Sequence, residues 1–212
     1  YINHFFRRFF DYYTKKIIQH GTSAKGVDWN GEDSQVTRFV QLIRLIQGND
    51  TGFSLNDVGC GYGALYHFLR LNYSNVDFSY FGYDLSEAMI EAAIEYCQRA
   101  ENSSFIVGGS NTLQRHDYTT ASGIFNVKQN SNDQEWTEYT LSLLSDIDKA
   151  SSKGFSFNML TSYSDRELMD SNLHYADPLF YFDWCKKHCS KDVALLHDYG
   201  LYEFTIIVRK YL

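Results

Sequence analysis

The sequence has little cysteine, a single proline and no long run of one residue class. Its cysteines are Cys60, Cys97, Cys185 and Cys189, and four in 212 residues are too few for a disulfide scaffold, so free thiols are expected. Cys185, His188 and Cys189 share one face at helical spacing. A zinc site wants four ligands, and no second Cys-x-x-Cys or His-x-x-x-His partner exists, so no metal is expected. No basic run exceeds two residues, and 19 Lys and Arg stand against 26 Asp and Glu, a net charge of −7. A binder of nucleic-acid backbone would carry a basic stripe, so nucleic acid is not an expected partner. No apolar stretch approaches the ~18 residues a membrane-spanning helix needs. No signal peptide is visible in a chain that starts at Tyr1 rather than Met, and a cytoplasmic location is expected.

What is abundant is aromatic side chain: 17 Tyr, 16 Phe and 3 Trp. Such a chain can bury enough surface to offset the entropy of ordering, so disorder over most of its length is excluded. At ~150 residues per domain, the length suggests one domain with a small appendage. Residues 2–20 read as an amphipathic helix, with Phe6, Phe9, Phe10, Tyr13 and Ile17 at three- and four-residue steps and Gly21 as the stop. A polar, turn-rich stretch leads to a second helix, capped by Ser34 and ending at Gly48. From residue 53 strands and helices alternate. Strands are expected at 53–59, 77–84, 103–109, 118–125 and 154–162, then two more from 193 onward across a short Gly-containing turn. Ser86 caps the helix over 85–100, a polar loop and a helix around 137–150 fill 129–152, and Asp177 with the lone proline, Pro178, starts the helix over 178–189. The alternation predicts a doubly wound, Rossmann-like α/β fold: a seven-stranded, mostly parallel sheet with a C-terminal antiparallel hairpin. Residues 1–33 are expected to form an N-terminal helical cap and 34–212 the main domain.

The chemistry is concentrated in Asp57-Val58-Gly59-Cys60-Gly61-Tyr62-Gly63, where a strand hands over to a helix. Glycines there allow unusual φ angles and close approach of a ligand to the backbone, in the expected crevice of an open α/β sheet. Gly59-x-Gly61-x-x-Ala64 also fits a dinucleotide fingerprint. However, Asp57 ends the strand just before the turn, and a carboxylate repels a pyrophosphate while attracting a cation. S-adenosylmethionine, with its sulfonium and ammonium groups, suits that carboxylate. Asp84 ends the second strand and can accept hydrogen bonds from both ribose hydroxyls; Ser86 already serves as the helix cap.

DVGCGYG followed by GYDLSEAMIEAA resembles class I S-adenosylmethionine-dependent methyltransferases, in their glycine-rich motif and ribose-binding acid respectively. SSFIVGGS and DYTTASGIFNV fall at the third and fourth strands of that fold, and the terminal hairpin at its sixth and seventh, so the resemblance spans residues 34–212. It implies that Gly59, Cys60, Gly61 and Gly63 approach the methionine moiety, that Asp57 helps place its amino group, and that Leu85 packs on the adenine. Gly109-Ser110 falls where many members have an acid and a small residue at the adenine amine; Gly109 replaces the acid here. Ser122 faces the cofactor in such enzymes. Several small-molecule O-methyltransferases have an arginine resembling Arg38, paired with the cofactor carboxylate, a partner suited to a bidentate guanidinium.

The implied activity is methyl transfer, releasing S-adenosylhomocysteine, to a small-molecule acceptor, at oxygen, by a monomer or homodimer. A hydroxyl acceptor needs a base, and His197 is the first candidate, with Asp198, His20 and Glu203 behind it. Trp29, Phe125, Tyr163 and Tyr199 are candidate pocket walls or core, and Asn126 and Asn158 candidate polar contacts. The stretch from His20 into the arginine helix resembles uncharacterised bacterial methyltransferases of surface-polysaccharide gene clusters, which favours a small polar, sugar-like acceptor. Two alternatives stay open: a nicotinamide-dependent oxidoreductase, and a non-catalytic methyltransferase-fold partner protein.

Overall fold

The computed structural model describes residues 15, 17–19, 21–23, 31–47, 52–98, 100–128 and 131–210. Most of the expected cap, with His20 and Trp29, and the helix stop at Gly48 lie outside them. The elements are α1 (Glu32–Ile43), β1 (Gly52–Val58), α2 (Ala64–Asn72), β2 (Asp77–Asp84), α3 (Glu87–Tyr96), β3 (Ser103–Val107), β4 (His116–Ala121), α4 (Asp133–Ala150), β5 (Ser151–Leu160), α5 (Pro178–His188), β6 (Asp192–Leu196) and β7 (Glu203–Arg209).

The strands form one seven-stranded sheet in the order β3-β2-β1-β4-β5-β7-β6. β7 is antiparallel to both β5 and β6, and the other named pairs are parallel. β6 therefore points the same way as β5, and its last residues lie at the sheet's carboxyl edge. The order reverses between β1 and β4, which opens a crevice at that edge. Alternate residues face opposite sides. Phe155, Phe157 and Met159 of β5 and Phe204, Ile206 and Val208 of β7 join Leu143, Leu144 and Ile147 of α4 and Tyr181 and Cys185 of α5 in one core. Phe53 and Leu55 of β1 and Ile207 of β7 join Phe39 and Ile43 of α1 and Leu65 and Leu69 of α2 in the other. The side chains of β7 from Glu203 to Val208 are all buried, on both faces, which fits a strand flanked on both sides.

The helix starts follow local chemistry. Ser86 accepts from Met89 N at the start of α3, and Asp177 accepts from Leu179 N beside Pro178 at N1 of α5. α4 begins at Asp133, earlier than expected, because Asn132 and Glu135 form a reciprocal capping box. Ser34 does not cap α1: the helix starts at Glu32, and the Ser34 hydroxyl donates back to Gly31 O at 2.8 Å. All four cysteines are free. Among the described residues no helix is long and apolar enough to cross a membrane.

Candidate active site

The crevice has an empty volume of about 1150 Å³ including its open mouth. Its floor is the β1 turn from Asp57 to Gly61, with the ends of β2 (Asp84–Ser86), β3 (Gly108–Ser110) and β4 (Ser122–Ile124) beside it. Gln35 and Phe39 of α1 and Trp136, Tyr139 and Leu143 of α4 complete the walls.

The turn is held from within. Gly59 N and Cys60 N both donate to Tyr83 O, at 2.8 and 3.0 Å, and Gly63 N donates to Cys60 O at 3.0 Å. Gly61 N donates to Asp84 Oδ2 at 3.0 Å, while Ser86 N donates to Asp84 Oδ1 at 2.9 Å. These N–H groups are already used, so the turn does not offer the cluster of free donors that cradles a pyrophosphate. Gly59 has φ +75°, and a methyl there would sit 2.1 Å from Ile124 Cγ2, on the crevice wall. Gly63 has a different reason to be glycine: a methyl would lie 2.7 Å from Cys97 Sγ, so it permits α2 and α3 to close together. Gly63 is not on the crevice wall.

Two carboxylates dominate the electrostatics. Asp57, 3% exposed, accepts from the Tyr80 hydroxyl and from Thr120 Oγ1. Burial, reinforced by the nearby Asp84 and opposed by the Tyr80 and Thr120 hydrogen bonds, raises its pKa to about 7. Asp84 is raised to about 6, again chiefly by desolvation, with the backbone N–H groups of Ser86, Gly61 and Leu85 pulling the other way. Two such groups on one crevice make a site that gains from a cation. The Cys60 thiol is pushed well above its ordinary range by burial, then by the two carboxylates, and is a neutral wall rather than a nucleophile.

Of the other expected residues, Leu85, Gly109, Ser110 and Ser122 line the crevice. Arg38 does not. It is buried, with Nε 2.7 Å from Glu203 Oε2 and Nη2 2.6 Å from Glu203 Oε1, a bidentate pair joining α1 to the start of β7. The expected cofactor-carboxylate partner and one candidate base therefore hold each other. His197 also fails to reach the crevice: it is exposed, follows β6 on the sheet edge, and its ring lies 5.8 Å from Tyr163 and 6.3 Å from Phe204. Three strand spacings separate β6 from β4, about 14 Å. Asp198 is exposed beside it. Phe125 is core, and Tyr199 shares a 3.0 Å hydrogen bond with Thr205. Asn158 backs the β4 turn, accepting from Gly123 N at 2.9 Å and donating to Ser122 Oγ at 3.3 Å. Asn126 Oδ1 accepts from Leu160 N.

Gln35, Phe39, Ile124, Trp136, Tyr139 and Leu143 are wall residues that the sequence reading missed. Trp136, Tyr139 and Leu143 stand at helical spacing, but that pattern looks the same for a helix face turned to core. Tyr80 was legible only as a strand aromatic, since its partner Asp57 is on the neighbouring strand.

No family model matches the chain. "Putative methyltransferase Rv1506c" of Mycobacterium tuberculosis (strain ATCC 25618 / H37Rv) is 48% identical over 168 residues, covering 79% of this chain and 99% of that protein. Magnesium protoporphyrin IX methyltransferase from Synechocystis PCC 6803 with bound SAH superposes with a TM-score of 0.71 at 14% identity, covering 96% of this chain and 99% of the other. The DhpI–SAH complex gives a TM-score of 0.61 at 12% identity, covering 96% and 95%. Those two likenesses establish the fold, and the M. tuberculosis relative carries the family. The chain belongs with that relative to the methyltransferases, and its fold is that of the class I S-adenosylmethionine-dependent enzymes.

Proposed function

We propose that this chain binds S-adenosylmethionine in the crevice at the carboxyl ends of β1–β4 and methylates a small polar, sugar-like molecule at oxygen. The observation that carries the reading is the pair Asp57 and Asp84, two carboxylates raised by burial, on a glycine turn whose own N–H groups are satisfied. That arrangement favours a cationic nucleoside over a diphosphate. The glycine at Gly59 supports the fit, since any Cβ would push Ile124 out of its place on the wall.

S-adenosylmethionine supplies an electrophilic methyl on a positively charged sulfur. Asp84 is the group to take the ribose hydroxyls and Asp57 the group to attract the ammonium end. Leu85, Ile124 and Leu143 offer an apolar slot for the base, and Gln35, Phe39 and Ser122 face what remains of the crevice. An in-line displacement depends mainly on alignment and exclusion of water, which the α1 and α4 walls favour. The first 33 residues are read as a cap over this crevice. Ile17, 6% exposed, packs with Tyr62 and Met89, and Met89 is itself on the crevice wall. The net charge of −7 favours a small molecule over nucleic acid, acted on by a cytoplasmic monomer or homodimer.

Calorimetric titration with S-adenosylmethionine and S-adenosylhomocysteine tests the cofactor assignment. Loss of charge-assisted hydrogen bonds in Asp84→Ala should weaken binding by ~10–100-fold. Unchanged affinity would remove Asp84 from the site. Transfer of labelled methyl to a panel of hydroxyl-bearing acceptors then tests the acceptor class.

A further inference from the structure

Two segments meet beside the crevice wall, and a histidine joins them to α4. The one after β4 carries Ile124, on the wall, and then Asn126 to Lys128; the other, after β5, carries Asn172 to His174. His174 N donates to Asn126 O at 2.7 Å, Lys128 N donates to Asn172 O at 2.9 Å, and Val127 pairs with Leu173 in an isolated antiparallel bridge. The His174 ring then reaches α4. Its Nδ1 lies 3.6 Å from Asp133 Oδ1, in the first turn of that helix, and the same oxygen meets Lys128 Nζ at 2.5 Å. One turn on, Trp136 lines the crevice, and its indole N–H donates to Phe125 O at 2.8 Å.

His174 is 7% exposed, and its Nε2 is buried with no hydrogen-bond partner among the described residues. A neutral imidazole with its proton on Nδ1, toward Asp133, leaves only a lone pair at Nε2. An imidazolium would put an N–H there with nothing to accept it, which is costly for a buried charged group. Asp133 compensates little: its side chain is 73% exposed, and the oxygen nearest the ring is already engaged by Lys128. Among the described residues, Asp133 and Lys128 are the charged groups that face the ring, one favouring its proton and the other opposing it. Asp170, on the same segment as His174, accepts from Asn172 N. Burial outweighs the attraction of Asp133 and holds the ring below its ordinary 6.5.

We propose that His174 is a proton-operated latch on the crevice wall: neutral, it stays between Asn126 and Asp133; protonated, it swings out to water and lets the two segments part from α4. The released ring takes a proton more readily than the latched one, so closure is fullest above about pH 6.5 and weakens as the pH falls. Each unit between the two pKa values changes the closed-to-open ratio by about tenfold. Acidification thereby loosens the Ile124 and Trp136 side of the crevice.

Hydrogen exchange at pH 7.5 and pH 5.5, with rates corrected for the intrinsic effect of pH, tests this on the wild type and on His174→Asn. Asparagine can offer Asp133 an N–H as Nδ1 does, but takes up no proton. In the wild type, protection across 124–128 and 171–176 should fall several-fold at pH 5.5, while that of β7 should not fall. In His174→Asn the two segments should show no such fall. The indole N–H resonance of Trp136 gives a second reading on the wild type alone: it should shift with the midpoint of the His174 ring, below the ordinary histidine value. Asp57 and Asp84, at about 7 and about 6, titrate in the same range but strengthen the fold as pH falls, the opposite sense. A loss of protection that survives in His174→Asn overturns the latch. So does wild-type protection that does not change with pH, or a His174 ring that titrates while the Trp136 resonance stays still. These readings use no ligand, so they separate failure of the latch from failure of the cofactor assignment.

Discussion

Replacing Arg38 or Glu203 alone should destabilise the protein far more than replacing both. The guanidinium and carboxylate meet through two hydrogen bonds of 2.6–2.7 Å, with side chains only 8% and 2% exposed. Removing one partner leaves a buried charge without its counter-ion, at a cost of about 3–5 kcal/mol. For a chain of this size each kcal/mol moves Tm by ~2–4 °C, so Arg38→Met or Glu203→Leu should lower it by roughly 6–20 °C. The double variant buries two apolar side chains of similar volume and should recover most of the loss, to within about 2 kcal/mol of wild type. Urea unfolding of the four proteins gives the coupling energy directly. Singles that each lose less than about 1 kcal/mol, or a double variant as unstable as the singles added together, would refute the claim that the two groups are energetically coupled. The folded double variant also decides what Arg38 does. If it binds S-adenosylhomocysteine as the wild type does, Arg38 is a clasp of α1 on β7. If it folds and binding is lost, Arg38 serves the ligand after all.

Four further outcomes follow from the site. S-adenosylmethionine affinity should rise from pH 5 to pH 8 as Asp57 and Asp84 ionise around about 7 and about 6, and a flat calorimetric profile would dissociate them from the cation. Both carboxyls are raised above their unfolded value of 3.8, so the native state binds more protons and stability should fall as pH climbs from about 4 to about 7, read as a declining urea midpoint. Gly59→Ala places a Cβ 2.1 Å from Ile124 Cγ2 at φ +75°; it should cost about 1–2 kcal/mol in backbone strain alone and weaken ligand binding further by displacing Ile124, and wild-type affinity would show that the wall gives way freely. His197→Ala, on an exposed side chain remote from the crevice, should leave cofactor affinity and turnover within about twofold of wild type, and a large loss of turnover would restore it as the base.

Much of the architecture was legible because the signals are local. A glycine turn after an apolar strand, an acid at the end of the next strand, Ser86 ahead of an apolar helix face and Asp177-Pro178 ahead of another can each be read within a few residues. Where local chemistry was misread, the consequence was small: Asn132 and Glu135 start α4 earlier than the apolar pattern suggested, and Ser34 sits inside α1 rather than at its cap.

The partners of the charged residues were not legible. Arg38 and Glu203 are 165 residues apart, Ser110 and Asp146 are 36 apart, and Tyr80 reaches Asp57 on the adjacent strand. A side chain's role in a site depends on what lies opposite, and that is set by strand order and helix docking. His197 shows the same limit: a histidine after an apolar strand reads alike whether that strand borders the crevice or the sheet edge, and only the order β4-β5-β7-β6 decides. The sequence by itself determined the alternation of elements, the turn that must be glycine and the two acids beside it, because backbone conformation and burial patterns are properties of short segments. Tertiary structure alone decided that the arginine of α1 meets Glu203 of β7, that α1 and α4 wall the crevice, and that a serine on its rim bonds the carboxylate of another helix, because those depend on distances between segments far apart in the chain.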